Sequence, residues 1–381
     1  MKKFIRKSLV YISIILLYIC TGEFILFKMK ENYPLRTIIN KQINSKREYY
    51  FERRLFGNNE SLYKYLMLQQ QKPDIITFGQ SIVLQFRGYL FHPNENKYYN
   101  TGLMARNTND VEYVIKQIKE NKIKTPKFII YGLDFGIVKA GNELNNNKWI
   151  ENSGKDRVFV IKSHFRNMQK IFLKMHTYKI PHEHLGFGIL GSTGEGYRKE
   201  GSYHRKHVIV AYFKDSIHHG GEFYNYLVNR HHPFTYPMDV DTIRKNILKN
   251  CFSEFRNMGI ELLIYVSPLS DDFYSKAIQD PDFKHFWDGY MKFQDELIAQ
   301  DFNIIKFCTP SQIGLNDLYM LDSDHPSEVM IAKQFVDYCN EHPNSIEYLK
   351  NIDLNYTDSL LNDKRTIPVS FMMDTLVNFS N

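Results

Sequence analysis

Short runs of apolar residues alternate along the chain with segments in which apolar residues recur every three or four positions. This alternation begins near residue 74 and continues to about residue 340. Short apolar runs are typical of buried strands, and the intervening periodicity is typical of amphipathic helices. Together they predict an α/β fold with a parallel sheet covered by helices on both faces. We expect strands at residues 74–78, 98–100, 127–132, 260–266 and 303–307.

Three helices are predicted most clearly, each from a single apolar stripe. The inward residues of the first are Val111, Val114, Ile115 and Ile118, and those of the second are Ile243, Ile247, Leu248, Cys251 and Phe255. The second helix ends at Gly259, a residue suited to the position after a helix. We expect the last helix to open with Pro326 in its first turn and to direct Ile331, Ala332, Phe335 and Cys339 inward. These stripes indicate core packing.

The N-terminus combines a basic flank with an apolar run. The basic residues are Lys2, Lys3, Arg6 and Lys7. Residues 5–27 are close to the roughly 20 residues that cross a bilayer, provided that Glu23 lies at the interface. The flank predicts that this end stays in the cytoplasm and that the chain after about residue 28 is exported.

We therefore expect a single-pass protein of the cell membrane, with residues 1–28 as a signal anchor. A cleavable signal peptide, giving a secreted form, is the alternative, because Cys20 and Gly22 make an acceptable small-residue cleavage site. A buried soluble helix fits less well. A lipoprotein is disfavoured because the bulky Ile19 precedes the cysteine.

Charge and cysteine content narrow the class of protein only a little. The net charge is +7, but basic and acidic residues are interspersed, which argues against a nucleic-acid-binding protein. The cysteines Cys20, Cys251, Cys308 and Cys339 have no CxxC spacing and define neither a zinc ribbon nor a redox motif.

Ser81 is the first candidate for chemistry. The segment 77–81 reads Thr-Phe-Gly-Gln-Ser, in which a predicted buried strand enters a glycine turn and then a polar-led helix from Ile82. Such a turn exposes a serine hydroxyl at the carboxyl end of the sheet, beside backbone N–H groups that can bind an oxyanion. A simpler interpretation makes Ser81 the N-cap of the next helix.

The second candidate is the segment Asp322-Ser-Asp-His325, immediately before the last predicted helix. A tight turn would bring Asp322 to one imidazole nitrogen while the other nitrogen faces a serine. Such an arrangement supplies a base and the carboxylate that orients it. The alternative is a capping aspartate with a surface histidine.

These two segments together resemble the SGNH/GDSL hydrolase-like family, in their order and in their setting. The family has a Gly-Asp-Ser turn after its first strand and Asp-x-x-His before its last helix. Tyr99-Asn-Thr-Gly102 is similar to its second block and Ile129-Ile-Tyr-Gly-Leu-Asp134 to its third, while Ile264-Tyr-Val-Ser-Pro268 resembles a late strand of its polysaccharide-associated branch. The resemblance covers roughly residues 73–340.

The resemblance implies a flavodoxin-like, three-layer α/β/α fold over residues 73–345, with an insertion at about 139–237. Residues 29–72 would form a juxtamembrane stalk and 346–381 a C-terminal extension. The insertion is suggested independently by its glycine-rich stretch at 186–201 and by the loss of the strand–helix rhythm.

For the site, the resemblance implies Ser81 as nucleophile, His325 as base and Asp322 as its orienting residue. Backbone N–H groups of Ser81 and Gly102 would form the oxyanion hole. Gln80 stands where the family usually has Asp, and Asp134 where many members have an Asn that helps to hold the oxyanion. An ionised Asp134 cannot donate that hydrogen bond, so either the substrate or a neighbour such as Gln80 compensates, or the enzyme is weak.

The anchor, the insertion and Gly-Leu-Asp134 resemble the membrane-anchored branch associated with surface-polysaccharide or teichoic-acid acylation. This implies transfer or hydrolysis of O-acyl groups on a cell-surface glycan, through an acyl-serine intermediate and without a cofactor. It also implies a membrane-bound O-acyltransferase as a partner. A non-catalytic glycan-binding or accessory subunit is the alternative, motivated by Gln80 and Asp134.

A metal site in the insertion is a weaker alternative. Its histidines include His182, His184, His218, His219, His231 and His232. They lack HExxH or paired Cys/His spacing, so we expect no metal. The glycine-rich stretch lacks a Gly-Lys-Ser/Thr ending and is a poor phosphate loop.

Overall fold

The computed structural model describes residues 1–54, 59–141, 169, 185–214 and 221–371. The loop predicted at 145–147 and the insertion histidines up to His184, together with His218 and His219, lie outside these residues. The chain divides into two compact units, the first containing residues 1–63 and 149–199 and the second containing 64–148 and 200–381.

The secondary structure of the described residues consists mainly of helices and short strands. The helices are α1 (Lys2–Lys28), α2 (Leu35–Asn44), α3 (Glu60–Gln71), α4 (Thr108–Lys119), α5 (Ile189–Thr193), α6 (Lys206–Phe213), α7 (Gly221–Val228), α8 (Thr242–Asn257), α9 (Asp271–Ala277), α10 (Pro281–Ile298), α11 (Glu328–Glu341) and α12 (Leu354–Leu361). The strands are β1 (Tyr50–Phe51), β2 (Ile75–Phe78), β3 (Tyr98–Asn100), β4 (Phe128–Leu133), β5 (Gly186–Phe187), β6 (Gly196–Tyr197), β7 (Tyr203–His204), β8 (Glu261–Val266) and β9 (Asn303–Ile305).

The first unit begins with α1, which is long and apolar enough to cross a membrane or to serve as a signal sequence. Beyond it, α2 and β1 belong to the segment that the sequence suggested as a stalk. Strand β1 pairs in parallel with β5 and antiparallel with β6, both from the insertion. Residues 29–63 therefore contribute to a folded unit.

The second unit contains a parallel sheet of five strands in the order β3-β2-β4-β8-β9. Ile75 pairs with both Tyr98 and Phe128, and Leu263 pairs with Asn303. The five predicted strands are the strands of this sheet, and the predicted parallel α/β architecture is confirmed. Because all five run in the same direction, their carboxyl ends lie along one edge.

Helices cover the sheet on both faces, because successive side chains of a strand point to opposite sides. On one face, Phe128 and Ile130 of β4 join a buried cluster with Ile331 and Phe335 of α11. On the other face, the ring of Tyr131 lies 4.9 Å from that of Phe252 in α8. The segment after α11 also contributes to the first cluster through Ile346, Leu349 and Phe371.

Two details of the predicted helices are wrong. Ile243 is 64% exposed, and the buried residue in the first turn of α8 is Arg244, which leads the row Arg244, Leu248, Cys251 and Phe255. Pro326 lies before α11, whose N-cap is Ser327; the Ser327 hydroxyl accepts the Met330 N–H at 3.1 Å. Pro326 pairs with Met320 in an isolated bridge, so it belongs to the extended segment that precedes the helix.

Candidate active site

Ser81 follows β2 at the carboxyl edge of the parallel sheet. Gly79 between them has a φ of 148°, which side-chain-bearing residues rarely adopt. A Cβ on Gly79 would lie 2.9 Å from the Gly132 carbonyl oxygen, and a Cβ on Gly132 would lie 2.2 Å from Val83 Cγ1. The turn that carries Ser81 therefore packs directly on β4, and both glycines are required for this approach.

The helix expected from Ile82 is absent from this part of the described chain, and the prediction is wrong. Ser81–Val83 form a single 3-10 turn. The carbonyl oxygens of Val83 and Phe86 accept hydrogen bonds from Asn100 Nδ2 at 2.7 and 3.1 Å, and Tyr98 Oη also donates to Phe86 at 2.9 Å. The Val83 carbonyl also accepts the Phe86 N–H at 3.1 Å, so these buried carbonyl groups are satisfied by a short turn together with side-chain donors.

The loop 322–325 is held by hydrogen bonds at several points. Asp322 Oδ1 accepts the backbone N–H of His325 at 2.9 Å and that of Asp324 at 3.2 Å. The Leu321 N–H donates to the His325 carbonyl at 2.8 Å. Ser267 Oγ, just beyond β8, donates to the Asp324 carbonyl at 3.1 Å. The tight turn predicted for this segment is therefore present, with its aspartate serving as the internal acceptor.

The three predicted catalytic side chains come together. His325 Nε2 lies 2.7 Å from Ser81 Oγ, and His325 Nδ1 lies 2.8 and 2.9 Å from the two carboxylate oxygens of Asp322. One nitrogen of the imidazole thus faces a hydroxyl and the other a carboxylate. This is the geometry in which a histidine can take a serine proton while an aspartate fixes its tautomer.

Asp324 provides a second carboxylate beside the histidine. Its Oδ1 lies 3.0 Å from His325 Nδ1. The Asp324 side chain is 18% exposed, whereas that of Asp322 is 46% exposed. Sequence reasoning missed this contact because adjacent side chains in an extended segment normally diverge, and the tight turn removes that divergence.

The charges of this cluster are strongly coupled. Burial opposes ionisation of the His325 ring, but the carboxylates of Asp324 and Asp322 raise the pKa of His325 to about 10. Burial also opposes ionisation of Asp322, yet His325 holds the pKa of Asp322 below its usual value. Burial raises the pKa of Asp324. The two carboxylates therefore favour the protonated form of His325, and burial favours the neutral form of Asp324.

Asp134 follows β4 at the same edge of the sheet. Its carboxylate accepts the Gly136 N–H at 2.6 Å. Asp134 and Asp324 line one small cavity with apolar neighbours that include Ile82 and Trp287. Burial, followed by the charge of Asp324, raises the pKa of Asp134 to about 6. Below that pH the group is a carboxylic acid with a proton to donate.

The predicted oxyanion groups differ in their present partners. The Gly102 N–H donates to Asn100 Oδ1 at 2.9 Å. The next residue, Leu103, has a φ of 68° and donates its N–H to the Gly79 carbonyl at 2.9 Å. Gln80 and Asp134 line the same cavity as Ser81. The assignment of Gly102 to an oxyanion hole remains a prediction, since its amide hydrogen is engaged in this structure.

A cavity of about 650 Å³ lies beside Ser81. Three of its lining residues carry basic side chains, namely Arg106, Arg244 and His232. Asn107 also lines it, and its Oδ1 caps α4 by accepting the Asp110 N–H at 3.0 Å. Sequence reasoning missed Arg106, Asn107 and Arg244, and it considered His232 only as a metal ligand. Only Asn107 had a recognisable signal, a capping residue before a helix, and that signal concerns folding.

Asp322, Asp324 and His325 also bring potential metal-ligand atoms within 4.8 Å of one another. The contacts of His325 Nδ1 with the carboxylates of Asp322 and Asp324 account for this proximity. Of the histidine pairs considered in the sequence, His231 and His232 lie in the described part, and His232 lines the cavity beside Ser81. Comparisons with protein-family models, with curated proteins and with solved structures find no match to this chain.

Proposed function

We propose that this chain is a membrane-anchored serine acyltransferase or esterase of the SGNH/GDSL type, acting on O-acyl groups of a cell-surface glycan. One observation carries the proposal. His325 Nε2 lies 2.7 Å from Ser81 Oγ while its Nδ1 lies 2.8 Å from Asp322 Oδ1. A chance approach of three such groups, at the carboxyl edge of a parallel sheet where ligands of α/β proteins bind, is improbable.

The sheet supports the family assignment. Numbered along the chain, the five strands of the sheet have the order 2-1-3-4-5, which is that of flavodoxin-like folds. Helices pack on both faces, as a three-layer α/β/α arrangement requires. Ser81 follows the first of these strands, and the Asp-x-x-His turn precedes α11. Both positions agree with the blocks of the SGNH/GDSL family.

In the proposed first step, Ser81 Oγ attacks the acyl carbon and its proton passes to His325 Nε2. The tetrahedral oxyanion collapses, the bond to the departing sugar oxygen breaks, and that oxygen takes the proton from Nε2. An acceptor hydroxyl then attacks the acyl-serine, gives its proton to Nε2, and Ser81 recovers the proton as the ester bond breaks. A sugar hydroxyl as acceptor gives transfer, and water gives hydrolysis.

The proposed membrane anchor is α1, with the folded part on the exported side. An acyl group used there has to cross the bilayer, so we propose a membrane-bound O-acyltransferase as partner. The polar wall formed by Arg106, Arg244 and His232 agrees with a hydroxyl-rich glycan and not with a purely apolar lipid.

A non-catalytic glycan-binding or accessory subunit is the second candidate. It is favoured by the engagement of the Gly102 N–H with Asn100 and by an Asp134 that is ionised at neutral pH. In this function Ser81 would not form a covalent intermediate, although the three side chains would still be close together.

A fluorophosphonate probe tests the proposal on the full-length protein in detergent. We expect stoichiometric labelling of Ser81, located by mass spectrometry of the modified peptide. Labelling should be lost in Ser81→Ala, and its rate should fall on the order of 10⁶-fold in His325→Ala. His342→Ala removes an exposed histidine elsewhere and serves as the matched control. Failure to label the folded wild-type protein between pH 6 and 10 would favour the accessory subunit.

A further inference from the structure

A groove of about 470 Å³ lies in the first unit, near the end of α1. Its polar lining residues are Lys30, Asn40, Lys41, Asn44, Ser45 and Tyr49. They supply two ammonium groups, two amides and two hydroxyl groups. No carboxylate lines the groove among the residues that the structure describes.

The two lysines converge on one aromatic ring. Lys30 Nζ lies 5.3 Å and Lys41 Nζ lies 6.0 Å from the centre of the Phe187 ring, which also lines the groove. Lys30 Nζ donates a hydrogen bond to the Gly186 carbonyl at 3.2 Å. Burial and the charge of Lys41 lower the pKa of Lys30. Two cations held together in this way repel each other, and an anion between them would remove the repulsion.

Nearby carboxylates in the first unit are bound to backbone groups elsewhere. Glu31 is fully buried and accepts the N–H groups of Arg54 and Ile189 at 3.1 and 2.7 Å. Glu48 accepts the Lys199 N–H at 2.6 Å. Neither acid lines the groove, so its lining, as far as the structure describes it, carries a positive charge.

The groove lies close to the membrane-length helix. Gly22 and Leu26 of α1 are buried in the first unit. The Phe27 ring lies 5.6 Å from that of Tyr33, and Tyr33 lies 6.0 Å from Phe187 on the groove wall. Residues 4–23 span about 30 Å as a helix, which is the thickness of the hydrocarbon core, and this span places Glu23 at the interface. With Glu23 at the interface, Lys30 follows about two helical turns later along the chain, so the groove that it lines adjoins the lipid headgroups.

We propose that this groove binds the phosphate group of an anionic membrane-lipid headgroup. A phosphate offers several acceptor oxygens to the clustered ammonium, amide and hydroxyl donors, and lysine is a good point-charge partner for it. The lipid is favoured over a soluble phosphate because the groove adjoins the end of α1. Binding there would fix the height of the first unit above the bilayer. This inference does not depend on the proposed enzymatic function.

Native mass spectrometry of the full-length protein in detergent tests the inference. The protein is titrated with dioctanoyl phosphatidylglycerol, with dioctanoyl phosphatidylcholine and with glycerol 3-phosphate. We expect one tight phosphatidylglycerol site on the wild-type protein, with weaker binding of the other two probes. Lys30→Gln/Lys41→Gln should weaken that site by about 30-fold, the effect of removing two cations beside an anionic headgroup.

Two further variants control for charge and folding. Lys46→Gln removes an exposed lysine of the same unit that does not line the groove, and it should bind as the wild type does. Lys30→Arg/Lys41→Arg keeps both charges and should retain most of the binding. Equal losses in Lys46→Gln and in the double glutamine variant would overturn the site. Binding of glycerol 3-phosphate as tight as that of phosphatidylglycerol would overturn the assignment to a lipid.

Discussion

Asp324 Oδ1 lies 3.0 Å from His325 Nδ1, the same ring nitrogen that contacts the Asp322 carboxylate at 2.8 Å. One N–H group thus faces two carboxylates of unequal exposure. Asp322 also accepts two backbone N–H groups of its own loop, so it holds the turn as well as the ring. The charge of Asp324 is the larger of the two influences that raise the pKa of His325.

This difference predicts unequal effects of the two isosteric substitutions. Asp322→Asn should lower the rate of Ser81 labelling by about 10³–10⁴-fold, since an amide in this position favours the wrong imidazole tautomer. Asp324→Asn should lower it far less. Rates of fluorophosphonate labelling measure both variants. Equal effects, or a larger loss in Asp324→Asn, would make Asp324 the orienting residue.

Asp324→Asn should also change the pH dependence of labelling. His325 must be neutral to accept the serine proton. Burial lowers the pKa of His325, but the carboxylates of Asp324 and Asp322 raise it to about 10. The labelling rate of the wild type should therefore rise with pH up to about that value. Removing the charge of Asp324 lowers the pKa of His325, so the rise should move to lower pH. An unchanged profile would show that Asp324 is already neutral in the working site.

Asp134→Asn tests whether having Asp at the position where many SGNH/GDSL proteins have Asn limits the rate of Ser81 labelling. The pKa of Asp134 is raised to about 6, so above that pH the carboxylate cannot donate to an oxyanion. An amide donates at every pH. The ratio of the Asp134→Asn rate to the wild-type rate should be near one at pH 5 and should rise toward about 10² at pH 8, the usual effect of one oxyanion donor. A variant slower than the wild type at both pH values would contradict this role.

Asp134→Asn should also change how the free energy of unfolding depends on pH, and this effect does not require catalysis. Asp134 has a pKa of about 6 in the folded protein and an ordinary value of 3.8. Between these values the folded state holds a proton that the unfolded state has released, so the free energy of unfolding falls as pH rises through this window. Its total effect is at most about 3 kcal/mol. Urea unfolding should show that the free energy of unfolding of Asp134→Asn, relative to that of the wild type, is higher at pH 7 than at pH 4.

A Cβ at Gly132 should displace the turn that carries the nucleophile. It would lie 2.2 Å from Val83 Cγ1, and both residues are buried. We expect Gly132→Ala to cost about 1–3 kcal/mol of stability and to reduce Ser81 labelling strongly. Gly314→Ala is the control: its Cβ meets nothing within 4 Å, although a φ of 76° adds strain of about 1 kcal/mol. Comparable labelling of the two variants would contradict the packing argument.

The parallel sheet was predictable because its strands are buried on both faces and form continuous apolar runs. The predicted run at 127–132 became Phe128–Leu133, and that at 260–266 became Glu261–Val266. The first unit was not predicted. Its strands, such as Tyr50–Phe51, are too short to give a period, and they pair with insertion residues far away in sequence.

The parts of the site that lie in short sequence motifs could be predicted. The parts that depend on contacts between side chains distant in sequence, or on the exact geometry of a turn, could not. Ser81 and His325 could be paired by their contexts. The loss of the helix after Ser81 depends on Asn100, whose amide occupies the Val83 and Phe86 carbonyls. The approach of Asp324 to His325 depends on a turn whose geometry no spacing rule encodes.

Arg87 lies at the centre of a buried ionic network in the second unit. Its Nε lies 2.5 Å from Glu200 Oε1 and its Nη1 lies 2.8 Å from Glu328 Oε2. Glu328 also accepts hydrogen bonds from Ser370 Oγ at 2.7 Å and from the Phe371 N–H at 2.9 Å. The network therefore joins the segment after the nucleophile turn to the start of α11 and to the chain beyond it.

Arg87→Met should destabilise the protein strongly, because it keeps an apolar stem in place but removes the guanidinium group that pairs with Glu200 and Glu328. Removing one partner of a buried pair costs about 3–5 kcal/mol. Lys284→Met is the matched control: Lys284 Nζ lies 2.8 Å from Asp288 Oδ2, with both side chains more than half exposed. That pair should contribute no more than about 0.5 kcal/mol. Urea unfolding of the full-length variants in detergent compares the two.

A triple variant separates the loss of pairing from a loss of packing. If unpaired charge causes the instability of Arg87→Met, then adding Glu200→Gln and Glu328→Gln should restore part of the stability, since the facing groups become neutral. If packing causes it, the triple variant should be no more stable than Arg87→Met alone. A similar small effect of Arg87→Met and Lys284→Met would mean that water reaches the Arg87 network as freely as it reaches the exposed pair.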